Sequence, residues 1–134
     1  RTTRENILST KEFGVSLAAF DQNTVSSIAG GSSGRDVDKI KVLKEMGVEF
    51  YKAKEIDVLM VKGAALNAEL KLVRIEEMGD HAMVLGEVLE VSATGKKPLI
   101  YHEGKYWHFG DPVKKPTEEE RNTMRKITEK YRKK

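Results

Sequence analysis

The most regular alternation of hydrophobic and polar residues lies between Gly63 and Gly110, and it predicts a small antiparallel sheet. One strand face would carry Leu66, Ala68, Leu70 and Leu72. The phase then shifts to Val73 and Ile75, which predicts a β-bulge. Two turn sequences, Met78-Gly79-Asp80-His81 and Glu103-Gly104-Lys105, separate strand-forming runs and therefore predict hairpins.

The strand that follows the first of these turns is hydrophobic on both faces. One face would carry Met83, Leu85, Leu89 and Val91, and the other Val84 and Val88. Strands of this kind are covered on both sides. We therefore expect either the wall of a barrel or a subunit interface.

Shorter elements precede the sheet. The pattern predicts helices over residues 2–8, 24–29 and 36–46, strands over 13–17 and 50–53, and irregular structure over 55–62. The first helix would be capped by Thr2 or Thr3, the second by Asp21 or Asn23, and the third by Asp36 or Asp38. The segment Gly30-Gly31-Ser32-Ser33-Gly34 predicts a loop, because glycine and serine at this density favour neither helix nor strand.

The C-terminal segment predicts one more helix. Thr117 and Glu120 have the spacing of a capping box, and Met124, Ile127 and Tyr131 follow at helical spacing. We expect the helix to pack through this stripe and to expose its bases to water. The chain thus divides into a domain over 1–112 and a basic helical tail over 113–134.

Composition narrows the class of protein. With 134 residues, 39% hydrophobic and 34% charged, the chain predicts one water-soluble domain with a core of its own. No apolar run approaches the roughly 18 residues that span a bilayer, and there is no secretory signal pattern, so we expect no membrane association. The lack of cysteine excludes disulfides and cysteine nucleophiles and fits a cytoplasmic location.

Positive charge is concentrated at the C-terminus rather than spread over the chain. The formal net charge is +3, and residues 121–134 hold seven Lys or Arg and one acid. Nucleic-acid binding calls for a broader basic surface, so we do not expect it. The alternative is a non-catalytic module whose basic C-terminal helix engages an acidic partner or nucleic acid.

Two segments could hold a phosphate. Arg1, Thr2, Thr3 and Asn6 gather hydroxyls and a cation at a helix N-terminus, although a plain cap is the commoner explanation. The segment Gly30-Gly31-Ser32-Ser33-Gly34, followed by Arg35 and Lys39, could hold an anion through backbone amides, or it could be a flexible connector. It is neither a P-loop nor a dinucleotide fingerprint.

Other chemistry is weakly supported. His81, next to Asp80, is either a turn residue or a group that overhangs a pocket. His102 and His108 have no neighbouring ligand pattern, so we expect no metal site. Aromatic residues on the last hairpin are more typical of a core or an interface than of a ring-stacking site.

Six motifs occur in an order that resembles the flavin reductase-like family, in particular its flavoredoxin-type members. They are R-T-T-x-x-N-I, E-F-x-V-S-L, S-G-R-D-V-D-K, G-A-A-L-N-A-E-L, G-D-H-x-x-x-x-G-E-V and P-L-I-Y-H-x-G-x-Y-W-x-x-G. The likeness covers residues 1–110. It implies a mainly β fold with short helices, namely an FMN-binding split β-barrel (a six-stranded Greek-key antiparallel barrel), and a homodimer with FMN near the subunit interface.

The resemblance also implies roles for individual residues. Arg1, Thr2 and Thr3 match the stretch that handles the flavin phosphate and ribityl chain, with Asn6 one turn further along. Lys39 matches a lysine that meets FMN, and His81 matches a position beside the flavin or nicotinamide. Ser32, Ser33 and Arg35 are expected as their neighbours.

The implied function is that of an NAD(P)H:flavin oxidoreductase or a flavoredoxin-type electron-transfer protein. The cofactor would be FMN, or alternatively FAD. NAD(P)H would be a transient co-substrate and a redox protein a further partner. Since the flavin carries the redox chemistry, the protein need supply only binding, orientation and electrostatics. Family members begin with two or three more strands and a T-x-x-x-x-G-x-x-N-type segment that contacts the flavin ring, and we expect the 1–112 domain to lack them.

Overall fold

A computed structural model describes residues 2–134, and Arg1 lies outside the described residues. The described part contains four helices and seven strands. The helices are α1 (Thr2–Thr10), α2 (Asn23–Gly31), α3 (Lys39–Glu45) and α4 (Glu118–Lys130). The strands are β1 (Glu12–Leu17), β2 (Phe50–Lys52), β3 (Leu59–Val61), β4 (Leu66–Met78), β5 (His81–Ala93), β6 (Ile100–His102) and β7 (Lys105–Trp107).

The long β4–β5 hairpin is the centre of the fold, and β1 pairs antiparallel with the first half of β4. The register skips Val73, which confirms the predicted bulge. Gly79, at φ +65°, makes the tight turn between β4 and β5. Gly86 brings β5 close to β1, since a Cβ there would lie 2.7 Å from the Phe13 ring.

The predicted single sheet over 63–110 is wrong at its end, because β6 and β7 form a separate two-stranded hairpin. After β5 the chain turns at Gly95, at φ +79°, and runs beside residues 18–20. There the Phe20 N–H donates to the Lys97 carbonyl at 2.9 Å, and the Leu99 N–H donates to the Ala18 carbonyl at 2.8 Å. These bonds direct the chain away from the β4–β5 ladder.

Two predictions before the sheet also need correction. Residues 55–62 are not wholly irregular, because β3 pairs antiparallel with β2. The predicted loop at 30–34 begins later than expected, because α2 continues through Gly30 and Gly31. No local sequence pattern in either segment indicates these features. The β2–β3 ladder and the last turn of α2 depend on tertiary contacts.

Helix caps agree with prediction only in part. Asp38 caps α3 by accepting from the Lys41 N–H at 3.2 Å, and this bond lowers the pKa of the Asp38 carboxyl. The N-cap position of α2 is Gln22 rather than Asp21 or Asn23, and the Gln22 side chain makes no capping hydrogen bond. It accepts from the Ala19 N–H and donates to the Lys62 carbonyl. Thr2 and Thr3 lie inside α1 rather than capping it.

The core is smaller than expected and partly polar. Among the described residues, Met60 is the most deeply buried large side chain, at 1% exposed, and it packs with Ala53 and Ile56. Asn67 and Glu69 on β4 are also buried, and their hydrogen bonds reach the segments around them. In the single chain, the hydrophobic residues of β5 are not covered on both sides.

The C-terminal helix has the predicted cap, with the Thr117 hydroxyl accepting from the Glu120 N–H at 3.2 Å. Its predicted packing is wrong, because Met124, Ile127 and Tyr131 are 55%, 54% and 71% exposed. Three apolar residues in a helix otherwise rich in charge offer little area to bury. None of the helices in residues 2–134 has the length and apolar character needed to cross a membrane.

Candidate functional site

A cleft of about 470 Å³ lies between the start of α1 and the segment that joins α2 to α3; we call it the first cleft. It is lined by Thr2, Thr3, Ala29, Gly30, Ser32, Ser33, Gly34, Arg35 and Lys39. The two segments that the sequence marked separately as phosphate candidates therefore face one space. The cleft brings together six of the nine predicted site residues.

One wall of the first cleft is the first turn of α1. N–H groups in the first turn of a helix have no partner within the helix and lie at the positive end of its dipole. The Thr2 hydroxyl oxygen is buried and has no hydrogen-bond partner among the described residues. A buried polar atom without a partner is rare in proteins. Arg1, also predicted here, lies outside the described residues.

Lys39 stands on the opposite wall. It is the first residue of α3, and its Nζ donates to the Ala29 carbonyl at 2.5 Å, in the last turn of α2. Carbonyls in the last turn of a helix lack partners within the helix and attract cations. The ammonium group is therefore held at the rim of the cleft by a neutral acceptor.

The loop between α2 and α3 is ordered by its own hydrogen bonds. The Ser33 carbonyl accepts from the N–H groups of Asp36 and Val37 at 3.1 Å, and the Ser33 hydroxyl accepts from the Arg35 N–H at 3.2 Å. A Cβ on Gly34 would meet the Thr2 side chain at 3.8 Å, so the loop lies directly against α1. These contacts hold the loop against α1, and the N–H groups of Arg35, Asp36 and Val37 are already paired within it.

A second cleft of about 320 Å³ lies on the other side of α1 and shares Thr3 with the first. It is lined by Thr3, Arg4, Ile7, Glu77, Gly79, Asp80, His81, Ala82 and Val84. His81 Nδ1 lies 2.7 Å from an Asp80 carboxylate oxygen, and Arg4 pairs with Glu77. The structure thus places His81 beside the predicted phosphate residues, in a neighbouring space.

Asn6 is the predicted site residue that the structure does not bring to either cleft. It lies one helical turn beyond Thr2 and Thr3, about 5 Å further along the axis. Two partners of first-cleft residues were missed from the sequence: the Ala29 carbonyl, which accepts from Lys39, and the carboxylate of Glu5, which accepts from Arg35. The two pairs are separated by 10 and 30 positions, so no local motif could have indicated them.

Comparison with known proteins identifies the family. The sequence model of one protein family, the flavin reductase like domain, matches residues 1–110. An uncharacterized protein of Pyrococcus abyssi (strain GE5 / Orsay) is 29% identical over 105 residues, which cover 75% of this chain and 58% of the relative.

Solved structures agree with this result. One of them is the FMN-binding protein from Thermus thermophilus, solved with bound p-hydroxybenzaldehyde. It is 26% identical to this chain with a TM-score of 0.73, and the match covers 87% of this chain and 67% of the Thermus chain. The NADH:FAD oxidoreductase of Streptomyces globisporus C-1027 also has a TM-score of 0.73, at 20% identity over 83% of this chain and 64% of its own. The flavoredoxin of Desulfovibrio vulgaris (Miyazaki F) is 21% identical with a TM-score of 0.69, and the match covers 87% of this chain and 68% of the flavoredoxin.

The chain spans less than two thirds of the Pyrococcus relative and of the Streptomyces oxidoreductase. Within the part that it spans, the predicted fold class is confirmed: the protein is mainly β with short helices, and its structural neighbours are flavin reductase split barrels. The chain belongs to the flavin reductase-like family.

Proposed function

We propose that this protein is an FMN-binding flavoprotein that acts as an NAD(P)H:flavin oxidoreductase or as a flavoredoxin-type electron carrier. The observation that carries the proposal is the first cleft. There, a helix N-terminus with two threonines faces a serine-containing loop, Arg35 and Lys39. Family membership adds that flavin chemistry is the common theme of the structural neighbours.

The first cleft suits the phosphate of FMN. A phosphate monoester carries about −1.5 to −2 charges at pH 7 and has three strong acceptor oxygens. Arg35 and Lys39 supply cations, and the threonine and serine hydroxyls supply donors on both walls. On α1, Thr2 and Thr3 line the cleft, and the N–H groups of the first helical turn lie at the positive end of the helix dipole.

The second cleft suits the ring end of the ligand better than its phosphate end. Ile7, Ala82 and Val84 give it an apolar lining, and Thr3 connects it with the first cleft. His81 at its rim would lie beside the flavin or the nicotinamide of NAD(P)H. A bound flavin would supply the redox chemistry, and the chain's own residues would bind and orient it.

We further propose a cytoplasmic homodimer that takes NAD(P)H as a transient co-substrate and passes electrons to a redox protein. Support for the dimer comes from β5, whose Val88 and Val91 are 53% and 49% exposed in the single chain. A second copy would cover this apolar surface. The lack of cysteine in the sequence fits the cytoplasm.

Titration of the purified protein with FMN, FAD and riboflavin tests the proposal. We expect quenching of flavin fluorescence with FMN in preference to riboflavin, which lacks the phosphate. We also expect anaerobic addition of NADH or NADPH to bleach the visible bands of the bound oxidised flavin. A protein that remains colourless and takes up no added flavin would refute the proposal. Tighter binding of FAD than of FMN would assign FAD as the cofactor in place of FMN.

A further inference from the structure

Glu5 and Arg35 form the ion pair that joins the two walls of the first cleft. The Arg35 Nη2 atom lies 2.5 Å from a carboxylate oxygen of Glu5. Glu5 belongs to α1, and Arg35 belongs to the loop that follows α2. Among the polar contacts of the described residues, this pair is the one that connects the α1 wall with the loop wall.

Arg35 can serve Glu5 and a ligand at the same time. Its guanidinium has five N–H donors, and the pair with Glu5 uses the Nη2 atom. Arg35 lines the first cleft, whereas Glu5 lines neither cleft. The carboxylate therefore fixes one edge of the guanidinium and leaves its other donors for an anion.

Fixing this side chain matters because it is exposed. The side chain of Arg35 is 59% exposed, so without a partner it would sample many rotamers. The backbone beside it is already ordered through Ser33, and Gly34 lies against Thr2. The remaining freedom is in the arginine side chain itself, and Glu5 removes it.

We propose that Glu5 is a positioning residue for the flavin phosphate: it makes no contact with the ligand and orients Arg35 toward it across the first cleft. The inference rests on the proposed function, since it assigns the phosphate to this cleft. The contrary possibility is that Glu5 competes with the phosphate for Arg35. The two differ in sign, because a competitor weakens phosphate binding whereas a positioning residue strengthens it.

The test compares Glu5→Ala and Glu5→Gln in the full chain, with FMN and riboflavin as probes. Alanine removes the contact and preserves the helix, and glutamine removes the charge but keeps a hydrogen-bond acceptor. We expect Glu5→Ala to raise the Kd for FMN about two- to fivefold, the range of an exposed ion pair, and Glu5→Gln to raise it less. The Kd for riboflavin should not change.

Glu49→Gln is the matched control. Glu49 pairs with Lys62 at 2.9 Å, and the two side chains are 69% and 66% exposed, but neither lines the first cleft. This variant should leave the Kd for FMN unchanged.

A lower Kd for FMN in both Glu5 variants would identify Glu5 as a competitor and overturn the proposal. An equal loss of FMN and riboflavin would also overturn it, because it would indicate a general structural role. If the wild-type protein binds neither flavin, the proposed function fails and the positioning role fails with it. FMN binding that is unchanged in Glu5→Ala overturns the positioning role alone.

Discussion

At the scale of single residues, Lys39 is the clearest test of the phosphate assignment. Its ammonium group is bonded to a neutral carbonyl at the rim of the first cleft, so a phosphate can replace that partner at small cost. We expect Lys39→Ala to weaken FMN binding by about 1–3 kcal/mol, or roughly 5- to 150-fold. Isothermal titration or fluorescence quenching would measure it.

The control for Lys39 lies two residues further along the same helix. Lys41 pairs with Asp38 at 3.5 Å, its side chain is 85% exposed, and it lines neither cleft. Lys41→Ala should therefore leave FMN affinity unchanged. Equal affinities of the wild-type protein and Lys39→Ala would remove Lys39 from the site.

Thr2 offers a prediction with two opposite signs. Its hydroxyl oxygen is buried without a partner among the described residues, so removing it relieves an unsatisfied group. We expect Thr2→Val to keep or raise the melting temperature of the ligand-free protein. The same variant should weaken FMN binding by about 1.5–3 kcal/mol, because Thr2 lines the first cleft and its hydroxyl can turn toward the phosphate and donate to it.

Thermal unfolding with and without FMN would check both signs at once. Thr123→Val is a suitable control, since the Thr123 hydroxyl donates to the Glu119 carbonyl on α4, away from both clefts. A loss of stability in ligand-free Thr2→Val would mean that the hydroxyl has a structural partner, and the phosphate assignment would lose its main support on α1.

At the scale of elements, Asn67 joins four strands. Its side-chain amide donates to the Tyr51 hydroxyl on β2 at 3.0 Å and to the Val61 carbonyl on β3 at 2.8 Å. Its carbonyl oxygen accepts from the Ser16 hydroxyl on β1 at 2.5 Å, and Asn67 itself lies on β4. This side chain ties the short β2–β3 ladder to the central sheet.

We expect Asn67→Ala to destabilise the protein by about 1–3 kcal/mol, because it leaves the half-buried Val61 carbonyl and the other partners of Asn67 without this amide. Urea unfolding followed by circular dichroism would measure the change. Ser16→Ala, which removes one of the three bonds, should cost less. A neutral effect of Asn67→Ala would show that water replaces these bonds.

Deletion of the basic tail, in contrast to the Asn67 substitution, is expected to have no effect on stability. Every residue from 101 to 134 is exposed, so the tail adds little burial to the domain. Deleting residues 113–134 should leave both the melting temperature and FMN affinity unchanged. If instead the full chain shifts labelled DNA or RNA in a salt-dependent manner and the shortened chain does not, the alternative of a binding module would be supported.

What the sequence could predict follows from how local each signal is. The Val73 bulge, the Gly79 turn and the Asp38 cap were predicted because each depends on residues within a few positions. The β2–β3 ladder, the Gln22 cap and the exposed stripe of α4 were missed, because each depends on distant segments.

The candidate site also has a part that the sequence could predict and a part that it could not. The sequence marks two separate candidates for phosphate binding, which are Thr2 and Thr3 in one segment and Ser32, Ser33, Arg35 and Lys39 in the other. The sequence has no signal for their meeting in one cleft, apart from the family resemblance. Glu5 was not marked at all, because its partner lies 30 positions away.

At the scale of the whole molecule, the open apolar surface of β5 predicts self-association. Val88, Leu89 and Val91 are all at least 40% exposed in a chain whose described core is small. We expect sedimentation equilibrium at micromolar concentration to give about twice the chain mass of 15.1 kDa. Val88→Glu should shift the equilibrium toward the single chain, and Val113→Glu, on the exposed tail, should not. A wild-type protein of single-chain mass would contradict the dimer.

The β5 strand ends the central sheet, with β4 on one side and no strand on the other within the described residues. Backbone N–H and C=O groups along such a border recruit another chain. Heat resistance should then vary with protein concentration, since dilution would uncover the border before the chain itself melts. Concentrated samples should therefore unfold at a higher temperature than dilute ones.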